Sequence, residues 1–519
     1  MTDLRPTGIR PTDAAGESPS VTPTRPARPA AVLMALLGVA LAVIVAVAAG
    51  SWAARTSIER DTVVLAVGVA AGIGLALLAA TRFAAFIVVL VAIRASLDGL
   101  KLSGFGDSAI TEPGVLVGAV LLMACILWLL AQRAASSLVP LSTSARWLLV
   151  FAATALASVL GSGDAAASGQ AAVRVLASVL TFVVVEQLLA RRPRRVYGLL
   201  AAGALSLVVP AAVAVGQLAT SDELYTFSTV ARVQGSFVHP NSFAAYLVVV
   251  AVTALAVALS TSTSASTSAS VVRRVAVVVG VVACVLTLFT YARGAWIALG
   301  IGVAYLLVKR RRALVVWLVA GAAALVVLVP SVGSRLGDLS SSPSPTEIGD
   351  GTANSLEWRF QYWEEILPLW QQNPVTGIGL DQVPERTPAM AEPHSVFVQA
   401  VVETGLLGIA ALVGVVVAIW RDLAAARRRA GTGIDRWMAL GATAVAAGMF
   451  VQMFTENLLT QVAIHLYLWI PVAYATSMLR RPPGSAPPDA HGATPATGIG
   501  GSEPASTASD DPSVVDGAA

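Results

Sequence analysis

Glu392-Pro-His-Ser-Val-Phe-Val-Gln-Ala-Val-Val-Glu-Thr-Gly-Leu-Leu-Gly408 is the stretch on which the reading of this chain turns. Before it runs a largely polar segment, 331–395, and from Val396 an apolar run continues to Ala418. A large polar element therefore meets a helix of membrane length, with His394 at the junction. An imidazole changes charge near neutral pH and has little structural reason to stand there. Gly405 and Gly408 follow on the same helix. The active site is expected at this junction.

The rest of the chain sets the context. It has 519 residues, 56% hydrophobic and only 12% charged, which excludes an ordinary soluble domain. Apolar runs of spanning length fall near 31–52, 62–80, 83–100, 114–131, 146–160, 171–190, 196–217, 240–259, 272–291, 294–308, 313–330, 396–418, 437–456 and 458–479. The expected fold class is an all-α polytopic membrane protein of about 12–14 transmembrane helices with one large extracytoplasmic loop. The lower counts apply if a short run such as 146–160 or 294–308 is re-entrant. The 43 glycines, with the Ala/Val bias, suit closely packed membrane helices.

Composition also divides the chain. Residues 1–30, rich in Pro, Thr and Arg, and 482–519, rich in Pro, Gly, Ser and Ala, read as disordered tails. Between them lie N-terminal transmembrane helices (31–217), a region (218–420) that includes the loop 331–395 and is expected to hold the active site, and C-terminal transmembrane helices (421–481). The first apolar run starts too late and is too long for a signal peptide. Cys125 and Cys284 lie inside spans and imply no disulfide framework.

Arginines gather on alternate connections: Arg133 and Arg146, then Arg191 to Arg195, Arg273 and Arg274, Arg310 to Arg312, Arg421 to Arg436, and Arg480 and Arg481. By the positive-inside rule these connections and both termini face the cytoplasm. The segment 218–239, the turn 291–293 and the loop 331–395 then face outward, from a multi-pass protein of the cytoplasmic (inner) membrane. The net charge of +4 says little about nucleic acid, and no nucleic-acid partner is expected.

Loop 331–395 carries nine acids against three arginines, so it is no general anion trap. The membrane-proximal cations on that face are Arg232, Arg293 and His394. Arg232 precedes Phe237-Val-His-Pro-Asn241-Ser242, which looks like a helix start whose N–H groups face an anion. A snorkelling arginine beside a helix cap fits the same pattern. Arg293 lies at the tip of a hairpin whose two crossings share residues 275–308. That length is at the short end of the spanning range, so its charge is held near the interface. Snorkelling with Trp296 as an anchor is the alternative. His239 either orients its loop or adds an anion ligand. Glu403, nearly three turns into its span, needs a partner or a proton. Arg94 and Asp98 at i,i+4 read as a structural pair, and His465 as hydrogen-bonded within the bundle. Glu456 and Asn457 end the penultimate span with no evident role. No Walker-type loop, Asp-x-Asp pair or metal-spaced His/Cys cluster occurs. No metal and no cofactor is expected.

Three blocks together resemble the O-antigen ligase and polymerase-like membrane glycosyltransferases that process polyprenyl-diphosphate-linked glycans. They are Arg232-x-x-Gly235-Ser-Phe-x-His-Pro-Asn241, Thr290-Tyr-Ala-Arg293-Gly-Ala-Trp296, and Pro393-His394-Ser395-x-Phe-x-Gln-x-x-x-Glu403-x-Gly405-x-x-Gly408. Arg359-Phe-Gln-Tyr-Trp363 and Asn373-Pro-Val-Thr-Gly-Ile-Gly379 are similar to the family's loop helix and the segment after it. The resemblance implies a polyprenyl-diphosphate-linked glycan as donor, a glycan or lipid acceptor, and membrane lipids as surroundings. It implies His394 as the catalytic base, Arg232 and Arg293 as substrate-binding residues, and His239, Arg359 and Glu403 in support. Transfer is then inverting and metal-independent. A transporter or flippase of an anionic lipid-linked glycan is the alternative, but such proteins carry their ionisable sites near the bilayer midplane.

Overall fold

The computed structural model describes residues 60–99, 113–221, 224–225, 231–260, 267–329, 333 and 355–481. The expected tails, the first apolar run and most of 330–354 lie outside the described residues. From 62–80 onward, each expected apolar run holds a helix. These are α1 (Arg60–Thr81), α2 (Phe83–Ile93), α3 (Pro113–Ala134), α4 (Thr143–Ala157), α5 (Ala165–Arg191), α6 (Arg195–Ser206) and α7 (Val208–Thr220). After them come α8 (Pro240–Ser260), α9 (Thr267–Phe289), α10 (Arg293–Arg310) and α11 (Leu314–Leu328). The loop helix α12 (Ser355–Ile366) leads to α13 (Val396–Arg429), α14 (Gly433–Gln452) and α15 (Val462–Met478). Among the described residues eight helices are long and apolar enough to cross a membrane, α6 with α7 counting as one, and shorter apolar helices accompany them. The chain is an all-α multi-pass membrane protein.

Several boundaries differ from expectation for physical reasons. The run 196–217 divides into α6 and α7, because Pro210 has no N–H to give the carbonyl of Ser206. Helix α14 stops at Gln452, so Glu456 and Asn457 belong to the connection after it and not to its span. The boundary drawn at 420/421 falls inside α13, which continues to Arg429.

The core is a stack of interlocked helices. Small residues let them approach closely: a Cβ on Gly302 of α10 would lie 2.7 Å from Val252 of α8, and one on Gly448 of α14 would lie 2.6 Å from the Ala298 carbonyl. The half-buried pair Arg94–Asp98 forms as expected, at 3.1 Å.

The two ends of the bundle differ in chemistry. At one end Arg191 donates to the Ser137 carbonyl and Asp422 accepts from Ser144 at 2.8 Å. There too Arg429 donates to the Arg481 carbonyl at 2.8 Å, and Arg481 holds Asp435 at 3.0 Å. This is the end expected to face the cytoplasm. The other end gathers the α4–α5 connection, residues 231–241, the α9–α10 turn, the loop helix and residues 453–461.

Candidate functional site

The loop docks on a break in α13. Gly405 has φ 65° and ψ −163°, outside helical geometry, so the 34-residue α13 is two helical pieces. A break leaves carbonyls of the first piece and N–H groups of the second without intrahelical partners. Residues 374–379 supply both. Ile378 and Gly379 donate to the carbonyls of Val402 and Glu403 at 3.1 and 3.0 Å, while Leu406 and Leu407 donate to those of Pro374 and Val375 at 2.9 and 3.1 Å. The fit needs glycine twice. A Cβ on Gly377 (φ +76°) would lie 2.3 Å from the Glu403 backbone, and one on Gly405 would lie 2.5 Å from the Gly377 nitrogen.

Glu403 therefore does not lie deep in an unbroken span, as the sequence led us to expect. Its carboxylate accepts from the Asp381 and Val383 backbone N–H groups at 3.0 and 3.2 Å and from Gln399 at 2.8 Å. It holds the loop down. A small apolar core of Tyr362, Ile366, Ile378, Val383 and Val402 completes the seat. Asn373 and Gln382 tie the loop to the α4–α5 connection through Gly161 and Asp164, at 3.2 and 3.0 Å. Asp381 takes Arg174 at 2.7 Å, and burial pushes its carboxyl up against that cation's pull.

On this platform His394 is held from both sides. The Pro393 carbonyl accepts from the Trp363 indole at 2.6 Å, and the Ser395 N–H donates to Asn457 Oδ1 at 3.2 Å. His394 itself has φ 52°, a left-handed conformation uncommon for a residue with a Cβ and costly unless its surroundings enforce it. Trp358 of α12 meets the imidazole edge-on, with ring centres 5.8 Å apart.

The first and second sequence blocks meet beside it. Arg232, 7% exposed, donates from Nε to the Thr290 carbonyl at 2.7 Å and from an Nη to Asn241 Oδ1. The adjacent Val233 N–H donates to the Phe289 carbonyl at 3.2 Å. Arg232 thus fastens the turn that leads into Arg293, the first residue of α10. Asn241 passes the connection on, donating to Glu456 at 2.7 Å. Glu456 also faces Arg359 of α12 at 3.7 Å. His239 Nδ1 accepts the Asn241 N–H at 3.1 Å, which leaves the ring proton on Nε2, and its ring packs edge-on against Tyr225.

Electrostatics follow from this crowding. Burial, then Arg359 and His239, lower His394 to about 3, so its imidazole is neutral at any physiological pH. Burial, Arg232 and Arg359 likewise lower His239 to about 4. Burial raises Glu456 to about 7, against the pull of Arg359, Asn241 and Arg232.

Of the residues that the sequence singles out, the structure links Arg232, His239, Arg359 and His394 in one polar assembly, places Arg293 at the turn Arg232 fastens, and makes Glu403 the loop's anchor. Sequence reasoning missed Glu456 and Asn457, which connect the blocks. The available signal was a charged and an amide residue just past an apolar run. It also assigned His465 a hydrogen bond within the bundle. Instead the ring stacks on Trp469 at 5.4 Å and its Nδ1 has no partner, because it faces an apolar cavity of about 120 Å³ lined by Val179, Val415 and Met449.

Residues 275–413 match the family model for O-antigen ligase. Over that segment the chain is similar to the O-antigen ligases. The O-antigen ligase match includes Arg293, Arg359, His394 and Glu403, while Arg232, His239 and Glu456 lie outside it and join the site through the contacts above. No curated protein matches the chain. No group of three or more His, Cys, Asp or Glu side chains is placed to share a cation among the described residues.

Proposed function

We propose that the chain transfers a glycan from a polyprenyl-diphosphate carrier to an acceptor hydroxyl on the outer face of the cytoplasmic membrane, with inversion and without a metal. The observation that carries this reading is an imidazole whose backbone is held from both sides, in one polar assembly with Arg232 and Arg359. The acceptor oxygen forms its bond to the anomeric carbon as the bond from that carbon to the diphosphate oxygen breaks. His394 takes the acceptor's proton, and the diphosphate leaves with the bonding electron pair. Charge grows on the leaving group in this step, and preorganised cations stabilise it there. Arg293 and Arg359 meet the diphosphate. Arg232, with two nitrogens committed to Thr290 and Asn241, adds its charge and holds Arg293 in place. His239 orients Asn241, and Glu403 keeps the loop seated.

Glu456 gives this site a pH dependence of definite sign. Its carboxyl, raised to about 7, loses its negative charge as pH falls from about 8 to 6. The assembly around Arg232 and Arg359 then becomes one charge more positive, and an anionic donor should bind more tightly. His394 stays neutral throughout, so it imposes no acidic limb in this interval. Glu456→Gln should show the tighter, low-pH donor KM at every pH, because glutamine still accepts from Asn241 without carrying charge. A KM that varies with pH equally in both proteins removes Glu456 from this role.

Orientation is tested by thiol labelling with Cys125 and Cys284 replaced by serine. A cysteine at the exposed Ala389 should react with an impermeant reagent in intact cells, and one at the exposed Arg428 only after permeabilisation. The reverse pattern puts the site in the cytoplasm and ends the outer-face proposal.

A further inference from the structure

A second cavity, of about 720 Å³, lies in the basic half of the bundle between α6, α8, α9, α14 and α15. It begins at Ser260, Thr432 and Gly433, at the ends of α8 and α14 away from His394, and runs inward to Tyr467. Its volume is in the ~300–1,000 Å³ range of pockets that hold whole ligands. Val249, Val257, Val275, Val279 and Ile470 make its walls aliphatic. The Thr253 hydroxyl among them is buried and has no hydrogen-bond partner. Water has too few polar partners here, and a void of this size would forfeit packing along its whole lining.

The rim is cationic. Arg195 stands two residues before Tyr197 at the start of α6, and the exposed Arg273 and Arg274 stand between Val272 and Val275, all three flanking residues lining the cavity. The neighbouring acid is Asp435, next to Ile434. It is already bound by Arg481 at 3.0 Å and by the Tyr474 hydroxyl, so it brings no uncompensated negative charge.

We propose that this cavity holds the acyl chains of an anionic phospholipid from the leaflet at the basic end, with its headgroup phosphate at Arg195, Arg273 and Arg274. Interfacial Lys and Arg attract anionic lipid, while the chains fill a volume that neither water nor the protein's own side chains fill. The site is separate from the glycosyl-transfer reading and stands at the opposite end of the helices from His394.

The full-length protein, purified in detergent and stripped of lipid, would be titrated with phosphatidylglycerol, phosphatidylcholine, polyprenyl phosphate and inorganic phosphate. Thermal unfolding and native mass spectrometry would report binding. Phosphatidylglycerol should bind and raise Tm, phosphatidylcholine should bind at least about tenfold more weakly, and inorganic phosphate should leave Tm unchanged. The double variant Arg273→Glu/Arg274→Glu, altered only at exposed positions, should lose the preference for the anionic lipid. Ala204→Trp, which puts an indole into the cavity, should weaken lipid binding. Equal binding of the two phospholipids, or wild-type binding by the double variant, overturns the proposal. A full shift with inorganic phosphate reassigns the arginines to a soluble anion, and tighter binding of polyprenyl phosphate reassigns the cavity to the carrier lipid. Either result also overturns it.

Discussion

His394→Ala should lower turnover by about 10²- to 10⁴-fold, the usual contribution of a positioned general base, while donor KM or Kd stays close to wild type. The separation follows from geometry. The imidazole is neutral and faces Trp358, so its removal takes away a proton acceptor without deleting a cation from the donor's surroundings. Its backbone is fixed by Trp363 and Asn457 through Pro393 and Ser395, neither of which the substitution changes. Steady-state kinetics on the reconstituted protein, with donor binding measured separately, checks this. A variant that turns over at the wild-type rate removes His394 from the chemistry. One that loses donor binding in proportion to rate would make it a ligand instead of a base.

Arg232→Lys should reduce kcat/KM about 10²-fold or more, the scale seen when a preorganised donor is removed from a charged transition state. Lysine keeps the positive charge, but as a point charge on a flexible stem it cannot reproduce the planar fork. The native side chain serves the Thr290 carbonyl and Asn241 Oδ1 together. With one of these unmade, a buried polar group is left unsatisfied, at a cost of about 1–3 kcal/mol, and the turn that carries Arg293 loosens. Both kcat and KM should therefore worsen, whereas a simple snorkelling arginine would tolerate lysine. Wild-type kinetics for Arg232→Lys would assign this residue to the membrane interface alone.

These two residues also show how far the sequence could be read. Apolar runs report membrane helices directly, because the bilayer demands about 20 apolar residues whatever the tertiary context. The start of α13 was equally plain, since Pro393, His394 and Ser395 mark a helix entrance, and Ser395 is its N-cap. The break at Gly405 was not. A glycine in an Ala/Val-rich span looks like a packing residue, and what determines its conformation is a partner segment at 374–379, brought back by the loop. The same holds for Glu456. Its partners Asn241 and Arg359 are far away in the chain, so no local period or spacing announces them. His239, Arg232 and His394 were visible as types able to handle protons and phosphates. That Arg232 acts first as a clamp became apparent only from its contacts.

The most direct test is transfer by the purified protein in liposomes, with a defined polyprenyl-diphosphate glycan, an acceptor hydroxyl compound and EDTA in excess. The product's anomeric configuration would be read by NMR. A glycosidic product is expected at an undiminished rate in EDTA, inverted at the anomeric carbon and lost in His394→Ala. Retained configuration, a rate that collapses in EDTA and returns with magnesium or manganese, or movement of intact donor across the bilayer with no glycosidic product would contradict the proposed transfer.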